Sequence, residues 1–117
     1  MKIARRIFLT AGLYGLLVLI PGLFADPQNL SSPEYYYGFY GSALVWQLMF
    51  LIIASDPQRW RNLMPLAMME KAAFFLPCLW LYASGRLMAT PVFLGGMIDG
   101  VLLILFALAW RHSRSTT

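Results

Sequence analysis

Apolar residues in this chain do not alternate with polar ones; they run together. Four stretches stand out, roughly 7–24, 37–54, 63–83 and 92–110. Each is close to the ~20 residues that carry a helix across ~30 Å of hydrocarbon. The second is slightly short unless Tyr35, Tyr36 and Tyr37 extend it. A membrane barrel needs strands of about ten residues with alternating polarity, so continuously apolar runs exclude it. The pattern predicts an all-α fold in one domain, residues 1–117: an integral membrane four-helix antiparallel bundle.

The breaks between the runs are well marked. Pro21 and Gly22 loosen the end of the first helix and Asp26-Pro27 ends it. Prolines, an asparagine and serines make 26–34 a loop. Ser55-Asp56-Pro57 closes the second helix, and Asp56 is placed to cap a short turn beginning at Pro57. Ser84-Gly85 stops the third. Thr90-Pro91 is an N-cap and first-position pair for the fourth. The residues from Ser113 onward read as a frayed tail.

Composition agrees with the pattern. Hydrophobic residues are 60% of the 117 and charged residues 12%, against about 45–50% and about 25% in soluble domains. Mean hydropathy is +0.65. The single cysteine, Cys78, excludes an internal disulfide or thiol-pair motif. The single histidine, His112, excludes a histidine-rich metal or bis-histidine haem site. Nothing in the sequence calls for a metal or a cofactor.

The charges fix an orientation. Of nine Lys and Arg, Lys2, Arg5 and Arg6 precede the first run. Arg59 and Arg61 lie between the second and third, and Arg111 and Arg114 follow the fourth. With four spans these regions share one side, and only Arg86 lies on the other. The positive-inside rule then places both termini in the cytoplasm. Tyr35, Tyr36, Tyr37 and Tyr82 read as an outer aromatic belt, Trp60 and Trp110 as an inner one. The net charge of +4 is accounted for by topology and needs no nucleic acid. Arg5-Arg6-Ile7-Phe8-Leu9 resembles a twin-arginine export motif, but Leu23 suits cleavage after Ala25 poorly. The first helix is read as retained.

Three charges remain inside the runs: Glu70, Lys71 and Asp99. Each costs at least ~2.5–3.5 kcal/mol at a bilayer centre, so they are expected to face the bundle interior. At ~1.5 Å per residue, Glu70 and Lys71 fall ~5 Å to the cytoplasmic side of their helix midpoint and Asp99 within ~3 Å of its own. Gln47 and Tyr14 sit at similar depth. The five are expected to form a closed hydrogen-bonded layer. Glu70 and Lys71 point ~100° apart, so the long Lys71 side chain is assigned to Asp99. Glu70 is left to Gln47, Tyr14, water or its own proton, which makes it the candidate proton-exchanging group. The same residues also suit an ion-pair network that only fixes register.

Small residues offer close-packing faces: Gly96 and Gly100 with Gly95 beside Asp99, Gly38, Gly41 and Ser42 on the second helix, and Gly12 and Gly15 on the first. A dimer interface is the alternative use. Pro77 frees the carbonyl of Ala73 and is expected to kink the third helix. In the middle loop Arg59 and Arg61 suit anionic headgroups and Trp60 the interface, with Asp56 placed to pair with either arginine. A purely topogenic loop accounts for the same residues. Met64, Met68, Met69 and Cys78 read as packing residues.

The run Tyr37-Gly38-Phe39 through Trp46-Gln47, then Asp56-Pro57, Arg59, Arg61, Met64-Pro65 and Glu70-Lys71, resembles an uncharacterised family of small bacterial four-helix membrane proteins, similar in outline to the broad DoxX-like group. The resemblance implies a bacterial inner membrane and a four-helix bundle, and transfers no catalytic residue. Small multidrug transporters fit worse, because they carry a glutamate where this chain has Tyr14. The vitamin K epoxide reductase type needs paired cysteines, and the glycine–arginine signature of fluoride channels does not occur.

No complete catalytic constellation is present. The leading expectation is a non-enzymatic accessory or small-ligand-binding membrane subunit whose partner is the lipid bilayer. Homodimerisation or membership of a membrane complex stays open. The alternatives are a proton-coupled carrier acting as a dimer, with Glu70 or Asp99 as coupling acid, and an isomerase-like lipid or isoprenoid enzyme. The orientation is checked by fusion after Thr117: a cytoplasmic reporter is expected to be active there, and activity of a periplasm-only reporter overturns it.

Overall fold

A computed structural model describes residues 2–25, 28, 30, 32–87 and 91–113, except the side chain of Pro91. It contains four long helices: α1 (Lys2–Leu23), α2 (Pro33–Ser55), α3 (Met64–Ala83) and α4 (Pro91–Ser113). A single 3-10 turn, Arg61–Leu63, leads into α3. All four helices are long and apolar enough to cross a membrane. The protein is therefore an all-helical membrane bundle. The expected loop signals Asp26-Pro27 and Thr90 lie outside the described residues.

The helices run longer than their apolar cores. Nothing in residues 2–6 opposes helix, so α1 starts ahead of its apolar run, and the tyrosines do extend α2, which begins at Pro33. Both Pro21 and Pro77 lie within continuous helices. Gly85 ends α3 as expected, with φ of +79°. Its N–H donates to Tyr82 O at 3.1 Å and that of Arg86 to Leu81 O at 2.8 Å. This is the double closure of a Schellman end, which a residue without Cβ makes without strain. Asp56 caps its turn as expected, accepting the Arg59 N–H at 3.3 Å.

Two arginines have a structural use that charge counting does not anticipate. Arg5 Nε donates to Ala54 O, 3.2 Å, in the last turn of α2. Arg61 donates to Trp110 O at 3.1 Å and to Ser113 Oγ at 2.9 Å, in the last turn of α4, and lies over the Trp110 ring at 4.8 Å. Terminal carbonyls lack helical partners and carry the negative end of the helix dipole, so a guanidinium suits them. Arg61 is thus a helix cap, and among the described residues it is not paired with Asp56. Arg59 stays exposed and stacks on Trp60. Ser113 corrects the frayed-tail reading: it is helical and fully buried.

The four helices pair as two hairpins. Contacts run along α1–α2 and along α3–α4, the hairpins meet chiefly through α1 and α4, and α2 and α3 have little contact. The molecule is accordingly flat, 51 × 30 × 17 Å. Lipid-facing positions carry large apolar residues such as Leu17 and Ile104, while burial goes to alanine, glycine and phenylalanine. Without a hydrophobic drive between helices in lipid, close packing selects such residues.

That packing is lopsided. The core cluster is built from Ala4, Phe8 and Ala11 of α1, Phe50, Ile53 and Ala54 of α2, Met64 and Ala67 of α3, and Leu102, Phe106 and Ala109 of α4. By chain position all but Leu102, at the midpoint of α4, lie in the half that carries the Lys2 and Ser113 ends. At its centre Phe8 stacks on Phe106 with centroids 4.3 Å apart, and Phe50 meets Phe106 edge-on at 5.0 Å. Phe106→Ala is expected to destabilise by about 3–5 kcal/mol, and lipid-facing Ile104→Ala by no more than about 0.5 kcal/mol. Reversible unfolding in mixed micelles checks this, and equal losses would overturn the assignment of the core.

Candidate functional site

Above the phenylalanine cluster, in the half opposite the chain ends, the helices part around a cleft of about 430 Å³. Small-molecule sites span about 300–1,000 Å³. All four helices line it. α1 contributes Tyr14, Gly15, Val18 and Leu19; α2 contributes Tyr36, Phe39, Tyr40, Ala43 and Gln47. Glu70, Lys71 and Phe74 come from α3, and Val92, Gly95 and Asp99 from α4. The five polar residues picked from the sequence therefore do converge.

Their bonding differs from the expected closed layer. Lys71 Nζ lies 3.4 Å from Asp99 Oδ1 and 3.6 Å from Glu70 Oε1, so one ammonium serves both carboxylates. The same Nζ is 5.0 Å from the centroid of the Phe50 ring, which adds a cation–π contact from the core below. Adjacent residues point ~100° apart on a helix, but the lysine stem is long enough to curl back to its neighbour. Glu70 therefore has a cation, contrary to expectation.

Gln47 stands outside this cluster. Its Nε2 donates to Ala43 O, 2.8 Å, one turn back on its own helix. Its Oε1 and Glu70 Oε1 are buried with no hydrogen-bond partner. Gly15 is what makes room for Gln47: a Cβ there would lie 1.9 Å from Oε1 and 2.3 Å from the amide carbon.

The glycine faces sort into two groups. A Cβ at Gly96 would meet Cys78 at 2.7 Å, one at Gly100 would meet Phe75 at 2.5 Å, and one at Gly12 would meet Leu51 at 2.7 Å. Gly96 and Gly100 admit side chains of the neighbouring helix, and Gly12 admits both the Leu51 side chain and the Gln47 backbone carbonyl, 3.1 Å from where its Cβ would be. At Gly38, Gly41 and Gly95 a Cβ would meet nothing within 4 Å. Gly38 and Gly41 therefore serve no close approach within this chain, and Gly95 widens the cleft.

Sequence reasoning missed the aromatic wall. Besides the expected belt of Tyr35, Tyr36 and Tyr37, the Tyr36 hydroxyl donates to Gly22 O at 2.6 Å, pinning the end of α1 to α2, and its ring lies 4.7 Å from that of Tyr40. Gly22 leaves space for the Tyr40 ring, 2.2 Å from where a Cβ would be. Phe39 meets Phe74 across the α2–α3 seam, centroids 5.5 Å apart. A signal was present: positions 36, 40, 43 and 47 recur at helical spacing and mark one face.

Among the described residues no three His, Cys, Asp or Glu side chains come together as a metal site. No family model, curated protein or solved structure matches the chain. The cluster itself is testable. Lys71→Met strands two carboxylates and is expected to destabilise by about 3–5 kcal/mol. Adding Glu70→Gln and Asp99→Asn should restore most of that loss; no recovery in the triple variant would show that the lysine acts through packing alone.

Proposed function

We propose that this protein is a non-enzymatic, small-ligand-binding subunit of a bacterial inner membrane. Both chain ends are read as cytoplasmic, so the cleft lies mainly in the outer half of the bilayer, with its charged floor at Glu70 and Lys71 just past the midplane. The observation that carries this reading is the contrast between the two halves of one short bundle. One half is packed around three mutually touching phenylalanines; the other holds a cleft of ligand size whose floor is charged. A bundle needing only stability would gain by packing both halves. The resemblance to DoxX-like four-helix proteins supports the same membrane and the same architecture.

The carrier reading uses the same acids. It would need a second arrangement of the helices, because Phe8, Phe50 and Phe106 close the half below them. The open faces at Gly38 and Gly41 suit the second copy that such a carrier requires. For an isomerase-like enzyme, Glu70 and Asp99 both lean on one lysine, and this leaves no separate acid and base.

Gly95→Trp tests the leading reading without touching a charge. A side chain there grows into open space and fills the cleft while the bundle stays intact. Native mass spectrometry of gently extracted protein is expected to show a bound small molecule whose occupancy falls at least severalfold in the variant. Equal occupancy in both proteins, or no bound mass in the parent, overturns the reading.

A further inference from the structure

We infer that the cleft selects a lipophilic organic cation bearing an N–H donor, an ammonium on an apolar body, and takes it in exchange for a proton. This rests on the ligand-binding reading above and names the chemical class of its ligand.

The order of the charges is the first support. The Lys71 side chain is 5% exposed, whereas those of Glu70 and Asp99 are 16% and 17% exposed. The lysine is sealed behind its acids against the Phe50 ring. A ligand in the cleft meets carboxylate first, and among the described residues no other cation lines the site. An anion is repelled there.

The second support is a buried acceptor without a donor. Gln47 is 2% exposed and its Oε1 has no hydrogen-bond partner, while Glu70 Oε1 has only the Lys71 ammonium at 3.6 Å. The amide orientation is fixed chemically: Ala43 O can only accept, so the nitrogen must face it and the oxygen must face away. A buried acceptor left unmade is costly, so a ligand N–H that reaches the Gln47 amide beside Gly15 gains a hydrogen bond. The third support is the wall of Tyr36, Phe39, Tyr40 and Phe74, whose aromatic rings suit the apolar body of such a ligand and a cation–π contact with its charge.

Charge balance supplies the exchange. With both carboxylates ionised, one lysine leaves a net negative charge in a site of low polarity, which is unfavourable. One added positive charge neutralises it, either a proton on the carboxylate pair or the ligand ammonium. The other titratable groups packed around the pair are Tyr14 from α1, Tyr36 and Tyr40 from α2 and Cys78 from α3, and none of them can carry a positive charge. An ammonium that binds therefore sends the proton to water.

Titration calorimetry on the full chain in micelles tests this with three probes of one shape: phenylbutylamine, phenylbutanol and phenylbutyltrimethylammonium. The amine is expected to bind tightest, ahead of the alcohol by roughly tenfold or more. The trimethylammonium, charged but without N–H, falls between them. Repeating the amine titration in buffers of different ionisation heat should show about one proton released per ligand, with affinity falling as the solution is acidified. The double variant Glu70→Gln with Asp99→Asn should lose the preference for amine over alcohol. If that variant does not fold, the ranking and proton release of the unaltered protein decide alone. Alcohol binding as tightly as amine, or amine binding without proton release, overturns the cation inference while leaving a ligand site in place. Binding of none of the probes, with no co-purifying molecule, removes the ligand-binding reading itself.

Discussion

Lys71 Nζ sits where the packed half of the bundle meets its open half, and much else is arranged around that placement. A lone ammonium at such depth is tolerated only when its charge is shared. Here two carboxylates from different hairpin positions share it, and the face of Phe50 takes the side they leave. Because Asp99 belongs to α4 and Phe50 to α2, this one group ties α3 to both. α2 and α3 otherwise have little contact. The phenylalanine cluster beneath gives the ammonium a dry, rigid floor, and the cleft above begins where that floor ends.

The architecture was legible from the sequence because its cause is local. A bilayer forces each span to satisfy its own backbone, so apolar runs of the right length can only be helices. Gly85 and Asp56 were equally legible, since a left-handed stop and an N–H cap depend on a few neighbouring residues. The convergence of Tyr14, Gln47, Glu70, Lys71 and Asp99 also followed, from depth alone. What did not follow was who bonds to whom. Depth places a residue along the membrane normal and says nothing of its direction around the helix or the reach of a flexible stem. That is why Glu70 was expected to lack a cation and Gln47 to join a network it turns away from.

Arg61 and Tyr36 carry a role that residue type alone does not predict. Both residue types favour the membrane interface on average. In the folded chain a nearby unpaired carbonyl competes with the interface for the same side chain. Trp110 O holds Arg61 and Gly22 O holds Tyr36. Such carbonyls exist only once helix ends are brought together, so they are invisible in a linear reading. The glycines show the same dependence. Gly15 matters because Gln47 lies opposite, while Gly38 and Gly41, similar in sequence, face nothing in their own chain.

The seam between α2 and α3 is the thinnest wall of the cleft, held by little more than Phe39 against Phe74 and Lys71 against Phe50. In a bilayer such a wall borders acyl chains, and this changes what concentration means for the site. A solute that dissolves in lipid is enriched beside the seam by its partition coefficient before it touches the protein. Occupancy then depends on the product of partition and local affinity, with the membrane acting as reservoir. If the cleft binds such a solute, as proposed above, it can hold its occupant weakly and still stay filled.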